Sequence, residues 1–362
     1  MKKEFTWIKS AGRVILVIVN SFFFVALAGC NDVPHISDEI EQLYKPQEDS
    51  EETHWNETID FVDNFLLHGD NFKEGDSWGV LLIQSGEDVI FHSAYGWACA
   101  QNNVPNTVDT PFQIASLTKK ITGAAIMQLI ADQRLNIDDT LDLFFYGHDG
   151  LSSVTVGHLL TMRAGFGCFI ADTLGVNATR GSLVEERLED PDVSVQLETA
   201  TVCELIQHII ENWSGETIER GFDYSNSDYF LLGRIIEQVS GMSYEEFILA
   251  NIFEPAGMIN SGFGLAHDAA TPHGTDGTAL VRLPFAVSYS TGGIVSTASD
   301  LGLFLDAYFG GELFPDILLE QIYLGAGEYN MGWQFRSENI WWHPGGAPGS
   351  IGVAMIEIMM SD

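Results

Sequence analysis

Four residue types that can build an activated nucleophile stand at telling spacings in this chain. Ser116 and Lys119 lie three residues apart in "FQIASLTKKITGAAIMQLI", at the head of an apolar stretch. Lys119 and Lys120 are the only lysines after Lys73 in a chain with 16 basic and 51 acidic residues. Three residues make almost one helical turn, so Ser116 and Lys119 share a face. A serine at a helix start is explained equally well as an N-cap. A lysine there is not, because the helix dipole opposes a cation at the N-terminus. That repulsion, with burial, disfavours an ammonium and yields an amine usable as a base. The same dipole and the Ser116 N–H favour a developing oxyanion. Lys120 points about 100° away and reads as solvated.

Two later stretches add to this pair. "FDYSNSDYFLLG" places Tyr224, Ser225 and Asn226 just before a helix. A phenol beside a lysine can relay a proton, and an Asn carboxamide can hold both a lysine and a substrate amide. "WWHPGGAPGS" puts His343 at a strand end, followed by Pro344, Gly345 and Gly346. Glycines there let a substrate backbone approach the strand, and the Gly346 N–H can act as a second oxyanion donor. Each stretch alone also reads as a turn tyrosine or a glycine-rich hairpin.

In this order the three motifs resemble those of the serine β-lactamase and penicillin-binding D,D-peptidase superfamily. The Y-S-N and H-x-G versions are similar to the branch of class C β-lactamases, D,D-carboxypeptidases and related esterases. "VTVGHLLTMRAG", "YSNSDYFLLGRIIEQVSGMSYEEFILANIFEPAGM" and "STGGIVSTASDLGLFL" extend the resemblance over about residues 57–358. The resemblance implies Ser116 as the acylated nucleophile, Lys119 as its base and Tyr224 as the proton shuttle. It implies Asn226 as a substrate-amide contact and the Ser116 and Gly346 N–H groups as an oxyanion hole. His343 and Gly345 would complete the substrate-binding edge, His343 with polar or cationic character near the tyrosine. No cofactor is implied. The partner would be a small-molecule or peptidoglycan-type amide or ester substrate.

Three departures stand out. Pro344 replaces a hydroxyl residue that helps hold a substrate carboxylate, and offers neither hydroxyl nor N–H. That, and His343 in place of lysine, shift weight from penicillins and D-Ala-D-Ala toward esters or amides without a carboxylate. The family's last strand and closing helix have no counterpart after "IEIMMSD". Met162 and Arg163 replace the usual His and Thr and read as structural. β-Lactamase, D,D-peptidase and esterase readings stay unranked, beside an inert peptide- or cell-wall-binding module.

The elements that must position these residues follow from periodicity. Ile59, Val62, Phe65 and Leu66 have helical spacing, and "WGVLLIQSGEDVIFHSAYG" reads as a hairpin. Leu117, Ile121, Ala124, Ala125 and Leu129 mark a broad helical face. Gly241 ends one helix and Ser243 caps the next, while Thr297 or Ser299 caps another. Three strand-like runs close the chain: "YNMGWQF", "NIWWHPGG" and "IGVAMIEI". The fold class is therefore α+β. An antiparallel sheet comes from both chain ends (56–115 and about 285–362), flanked by helices, with a mainly helical lobe inserted over about 116–284.

The N-terminus has its own logic. Residues 1–29 combine basic residues with an apolar run and end in "LAGC", which resembles a bacterial lipobox with Cys30 as the lipidated residue. An uncleaved membrane anchor is the alternative. Residues 30–55 read as an acidic tether to a body at 56–362. The implied location is periplasmic, on a bacterial membrane, with Asn31 after the cysteine leaning toward the outer one. The net charge of −35 repels nucleic acid and anionic headgroups. It fits a salty medium or plain drift on solvated faces. Cys168 and Cys203 could close a disulfide or stand as separate thiols, and Cys99 stays free. No histidine cluster has metal-ligand spacing, so no metal is expected.

Overall fold

The computed structural model describes residues 13–20, 79–85, 88–146, 149–169, 200–215, 221–264, 269–271, 284–315, 317–318, 329–337, 340–347 and 350–359. The expected helix at Ile59–Leu66, the tether, Cys30 and the segment between Phe169 and Ala200 lie outside them. Twelve strands are described: β1 (Arg13–Asn20), β2 (Gly79–Ser85), β3 (Asp88–Tyr95), β4 (Trp97–Cys99), β5 (Val104–Pro105), β6 (Phe112–Gln113), β7 (Gly262–Phe263), β8 (Ile294–Ser296), β9 (Tyr329–Asn330), β10 (Trp333–Ser337), β11 (Ile340–Ala347) and β12 (Ser350–Met359). The helices of use below are α1 (Thr118–Ala131), α2 (Val156–Leu160), α3 (Val202–Glu211), α4 (Asn226–Ser240), α5 (Tyr244–Ile248), α6 (Phe285–Gly292) and α7 (Ala298–Gly310).

The main sheet runs β3-β2-β1-β12-β11-β10-β9, antiparallel at every pairing. It is built from both chain ends, as the α+β reading requires, and the helices lie between those ends in sequence. One strand departs from the expectation. Arg13–Asn20, assigned above to a leader, is the third of the seven strands, with Val17 in register with Leu82 on one side and Met355 on the other. The physical reason is legible in "RVILVIVN". A run of β-branched residues without polar alternation suits an interior strand as well as it suits an apolar leader.

Local signals place the helices. Thr155, Thr201, Ser225, Ser243 and Thr297 each cap a helix through a side-chain oxygen that accepts a backbone N–H. Of the two candidate caps for α7, Thr297 is the one used. Gly241, at φ 77°, stops α4 in the left-handed conformation that glycine tolerates, and Ser243 then starts α5 with Glu246 completing a capping box. Helix α7 lies against β1 and β2, where Gln84 Nε2 donates to Asp306 Oδ2 at 3.0 Å. Helix α1 is buried on all sides rather than along one stripe, because α4, α5 and α6 all pack on it.

Candidate active site

Ser116 sits in a 3-10 turn, Ala115–Leu117, between β6 and α1, and its hydroxyl caps no helix. The turn is pinned by Ile114 N–H donating to Ile294 O at 3.0 Å, across the small sheet β6-β8-β7. Ala115 is left-handed, φ 46°, immediately before the serine. Strain of this kind persists only where the surroundings over-determine it, and it concentrates at functional sites.

Lys119 is fully buried, and Nζ lies 3.0 Å from Ser116 Oγ, 2.8 Å from Asn226 Oδ1 and 2.9 Å from Thr291 O. The Thr291 carbonyl reaches it because α6 is kinked at Tyr289, where φ is 31° and ψ −125°. The kink turns successive carbonyls toward α1: Thr122 Oγ1 donates to Ser290 O at 2.7 Å, and Lys119 donates to Thr291 O. On the open side Tyr224 OH donates to Ser116 Oγ at 2.8 Å, and Lys119 Nζ stands 5.1 Å from the Tyr224 ring centre. Ser116 and Tyr224 are half-buried, whereas Lys119, Asn226 and Thr291 are buried. A ligand therefore meets the serine and the phenol first.

The turn Asp223–Asp228 is tied to the loop Met162–Phe169 by six contacts. Asp223 N–H donates to Met162 O at 3.1 Å and Ser225 N–H to Met162 Sδ at 3.4 Å. Phe169 N–H donates to Ser227 Oγ at 3.0 Å, and Asn226 Nδ2 to Cys168 Sγ at 3.2 Å. Ser225 Oγ donates to Gly167 O at 2.7 Å, and Ala164 N–H to Asp228 Oδ2 at 3.4 Å. Met162 is thus structural, as its departure from the family pattern suggests.

One expectation needs correction. Lys120 is not solvated: it is fully buried, with Nζ 3.7 Å from the centre of the Trp333 ring. The cause is the turn at Met331–Gly332, which lies on the backbone of α1; a Cβ on Gly332 would fall 2.6 Å from Lys120 Cα. Asn226 is buried with both ends of its amide engaged by Lys119 and Cys168. Of its two expected tasks, the lysine-holding one is seen directly in the 2.8 Å contact from Lys119 Nζ. His343 lies near the tyrosine, as expected, with ring centres 6.0 Å apart, and is buried. Its Nε2 is 3.2 Å from Tyr329 OH. Gly345 and Gly346 lie on β11, which packs against the Ser116 turn. Cys99, Cys168 and Cys203 are free thiols, which decides between the two readings of Cys168 and Cys203.

Sequence reasoning gave Thr291, Cys168 and Tyr329 no part in the site. Thr291 contributes only its carbonyl, which no side-chain motif announces. Tyr329 is central to the packing beneath Tyr224: it stacks on Phe222 at 5.4 Å and meets Tyr224, Tyr229 and His343 edge-on at 6.4, 6.0 and 5.5 Å. Among the described residues no group of His, Cys, Asp or Glu could hold a metal ion.

The family model described as Beta-lactamase matches residues 74–355, a span that contains every residue of this site. The chain belongs to the beta-lactamase family. It is 26% identical over 287 residues to penicillin-binding protein PbpX of Bacillus subtilis (strain 168), covering 76% of this chain and 66% of that one. The chain spans 36 to 66% of the length of the first curated relatives it matches. Its fold is similar to the octameric penicillin-binding protein homologue from Pyrococcus abyssi, with a TM-score of 0.56, 28% identity, and coverage of 75% of this chain and 67% of that one. It is also similar in fold to the D-amino acid amidase from Ochrobactrum anthropi SV3, with a TM-score of 0.58, 20% identity, and coverage of 74% and 83%.

Proposed function

We propose that this chain is a serine hydrolase that cleaves an amide or ester bond through an acyl-enzyme on Ser116. One observation carries the reading: Ser116 Oγ lies within hydrogen-bond reach of both Lys119 Nζ, at 3.0 Å, and Tyr224 OH, at 2.8 Å. A neutral amine has two N–H bonds and one lone pair. Asn226 Oδ1 and Thr291 O, neither of which has a proton to give, take the N–H bonds. The lone pair then faces the Ser116 O–H. Lys119 takes that proton as Oγ attacks the substrate carbonyl carbon, and the Ser116 and Gly346 N–H groups receive the oxyanion. Tyr224 gives its proton to the departing nitrogen or oxygen and regains one from Lys119. Water repeats the sequence in reverse roles to release the acid.

The third motif favours substrates without a carboxylate. His343 is buried and bonded to Tyr329, and Pro344 has no hydroxyl, so neither offers a carboxylate a partner. This supports a carboxylesterase-type activity over penicillin or D-Ala-D-Ala cleavage. The test exposes the protein and Ser116→Ala to a fluorescent penicillin, a chromogenic cephalosporin and a short-chain p-nitrophenyl ester. Ser116-dependent ester turnover without penicillin labelling is the expected result. Absence of any Ser116-dependent signal would leave the inert binding module as the reading. We also propose lipid anchoring at Cys30 on a bacterial membrane, supported by the "LAGC" sequence. Mass spectrometry of the N-terminus from a bacterial host checks it, an unmodified Met1 counting against.

A further inference from the structure

Asp228 is wholly buried in the first turn of α4, the helix that Asn226 opens. Hydrogen counting around its neighbour Ser225 limits what it can be. Ser225 Oγ lies 2.7 Å from Gly167 O and 2.6 Å from Asp228 Oδ1. A hydroxyl has one hydrogen, and a peptide carbonyl has none to offer. If Asp228 were a carboxylate, that one hydrogen would have to serve two acceptors, and one of the two short contacts would be oxygen against oxygen with no proton between them. Both contacts are satisfied when the carboxyl carries a proton. Asp228 Oδ1–H then donates to Ser225 Oγ, and Ser225 donates on to Gly167 O. The second lone pair of Ser225 Oγ accepts the Asp228 N–H at 3.0 Å, which is the cap of α4.

We propose that Asp228 is a positioning residue held as a neutral carboxylic acid, whose proton lets Ser225 clamp the Gly167 loop to the Tyr224–Asn226 turn. The charge environment agrees. Burial pushes the Asp228 carboxyl up to about 8, against contacts from Ser225 and Ala164, and Asp223 adds to the rise. Tyr229, the next residue of α4, also feels the Asp228 charge. The facing loop contributes Arg163 and Cys168, and Lys119 stands behind Asn226. When Asp228 ionises, the Ser225 hydrogen turns to the carboxylate and the bond to Gly167 is lost. The loop that carries Cys168, and through it the Asn226 amide, is released.

The sign of the stability effect follows. The ordinary carboxyl value is 3.8 and the folded one about 8. Between them the folded chain holds a proton that the unfolded chain has released. This group's contribution to stability is therefore complete below about 4 and is lost as pH rises toward 8, moving the unfolding equilibrium by roughly tenfold per pH unit.

Asp228→Asn is the decisive variant. Its amide N–H replaces the carboxyl O–H toward Ser225, its oxygen still faces Ala164, and it has no proton to lose. Three readouts on the full chain test the proposal. The wild type shows a protonated-carboxyl C=O infrared band at neutral pH that fades as pH rises through about 8 and is missing in Asp228→Asn. The unfolding equilibrium of Asp228→Asn loses the tenfold-per-unit pH slope. Ser116-dependent acylation of the wild type falls over the same alkaline range, a fall that Asp228→Asn does not share. Only the third readout rests on the hydrolase reading, so a chain inert toward every substrate would sink that reading while the infrared band still decides this one. No band at neutral pH, or an alkaline loss in Asp228→Asn equal to the wild type's, overturns the proposal. If Asp228→Asn fails to fold, the infrared titration of the wild type, with Ser225→Ala as its comparison, decides alone: the band must shift when its acceptor is removed.

Discussion

At the scale of single residues, the site is a division between groups that meet substrate and groups that hold them. Ser116 and Tyr224 are half-buried, and Lys119, Asn226 and His343 are not reachable from solvent. The phenol is the relay whose removal tests this division most directly. Tyr224→Phe keeps the ring contacts with Tyr329 and His343 but removes the donor to Ser116 Oγ. Turnover is expected to fall on the order of 10²- to 10⁴-fold, with the melting temperature nearly unchanged. Turnover within a few-fold of wild type would take Tyr224 out of the proton path.

At the scale of elements, the position of the lysine depends on how closely α4, α6 and α1 approach one another. Gly233 of α4 leaves room for the kinked end of α6: a Cβ there would fall 2.5 Å from Ser290 Cβ and 2.6 Å from Tyr289 Cε1. Gly233→Ala must push back the segment whose next carbonyl, Thr291 O, holds Lys119. Overpacking of this kind costs about 1–3 kcal/mol. Denaturant unfolding reads the stability loss, and ester turnover reads the displacement of Thr291, which should lower activity beyond what the remaining folded fraction explains. A stable, fully active Gly233→Ala would show that the close approach has slack.

At the scale of the whole molecule, the sheet and the N-terminal processing signal compete for the same residues. Strand β1 joins β2 to β12, and release of residues 1–29 would remove it. Cleavage before Cys30 and this seven-stranded sheet therefore exclude each other in one molecule. A chain beginning at Cys30 leaves β2 and β12 with unpaired N–H and C=O rows, so it should melt lower than the full chain and self-associate through those edges. Thermal melts and light scattering of the two chains make the comparison. Equal melting and a monomeric shorter chain would show that β1 adds nothing to the sheet.

Much of this was legible in the sequence because local chemistry decides it. The three motifs, the stop at Gly241, the cap at Ser243 and the closing strands follow from rules that act over a few residues. Ser116 and Lys119 face each other because three residues make nearly one helical turn, whatever the rest of the chain does. The tertiary structure decided what depends on residues brought together from far along the chain. Lys120 is buried because a turn more than two hundred residues later lies on α1. His343 and Asn226 were legible as polar groups, but their partners, Tyr329 and Cys168, could be found only once the strands and loops were packed. Arg13–Asn20 shows the limit most plainly. An apolar, β-branched run satisfies a leader and an interior strand alike, and its pairing with β2 and β12 could not be read from the run itself.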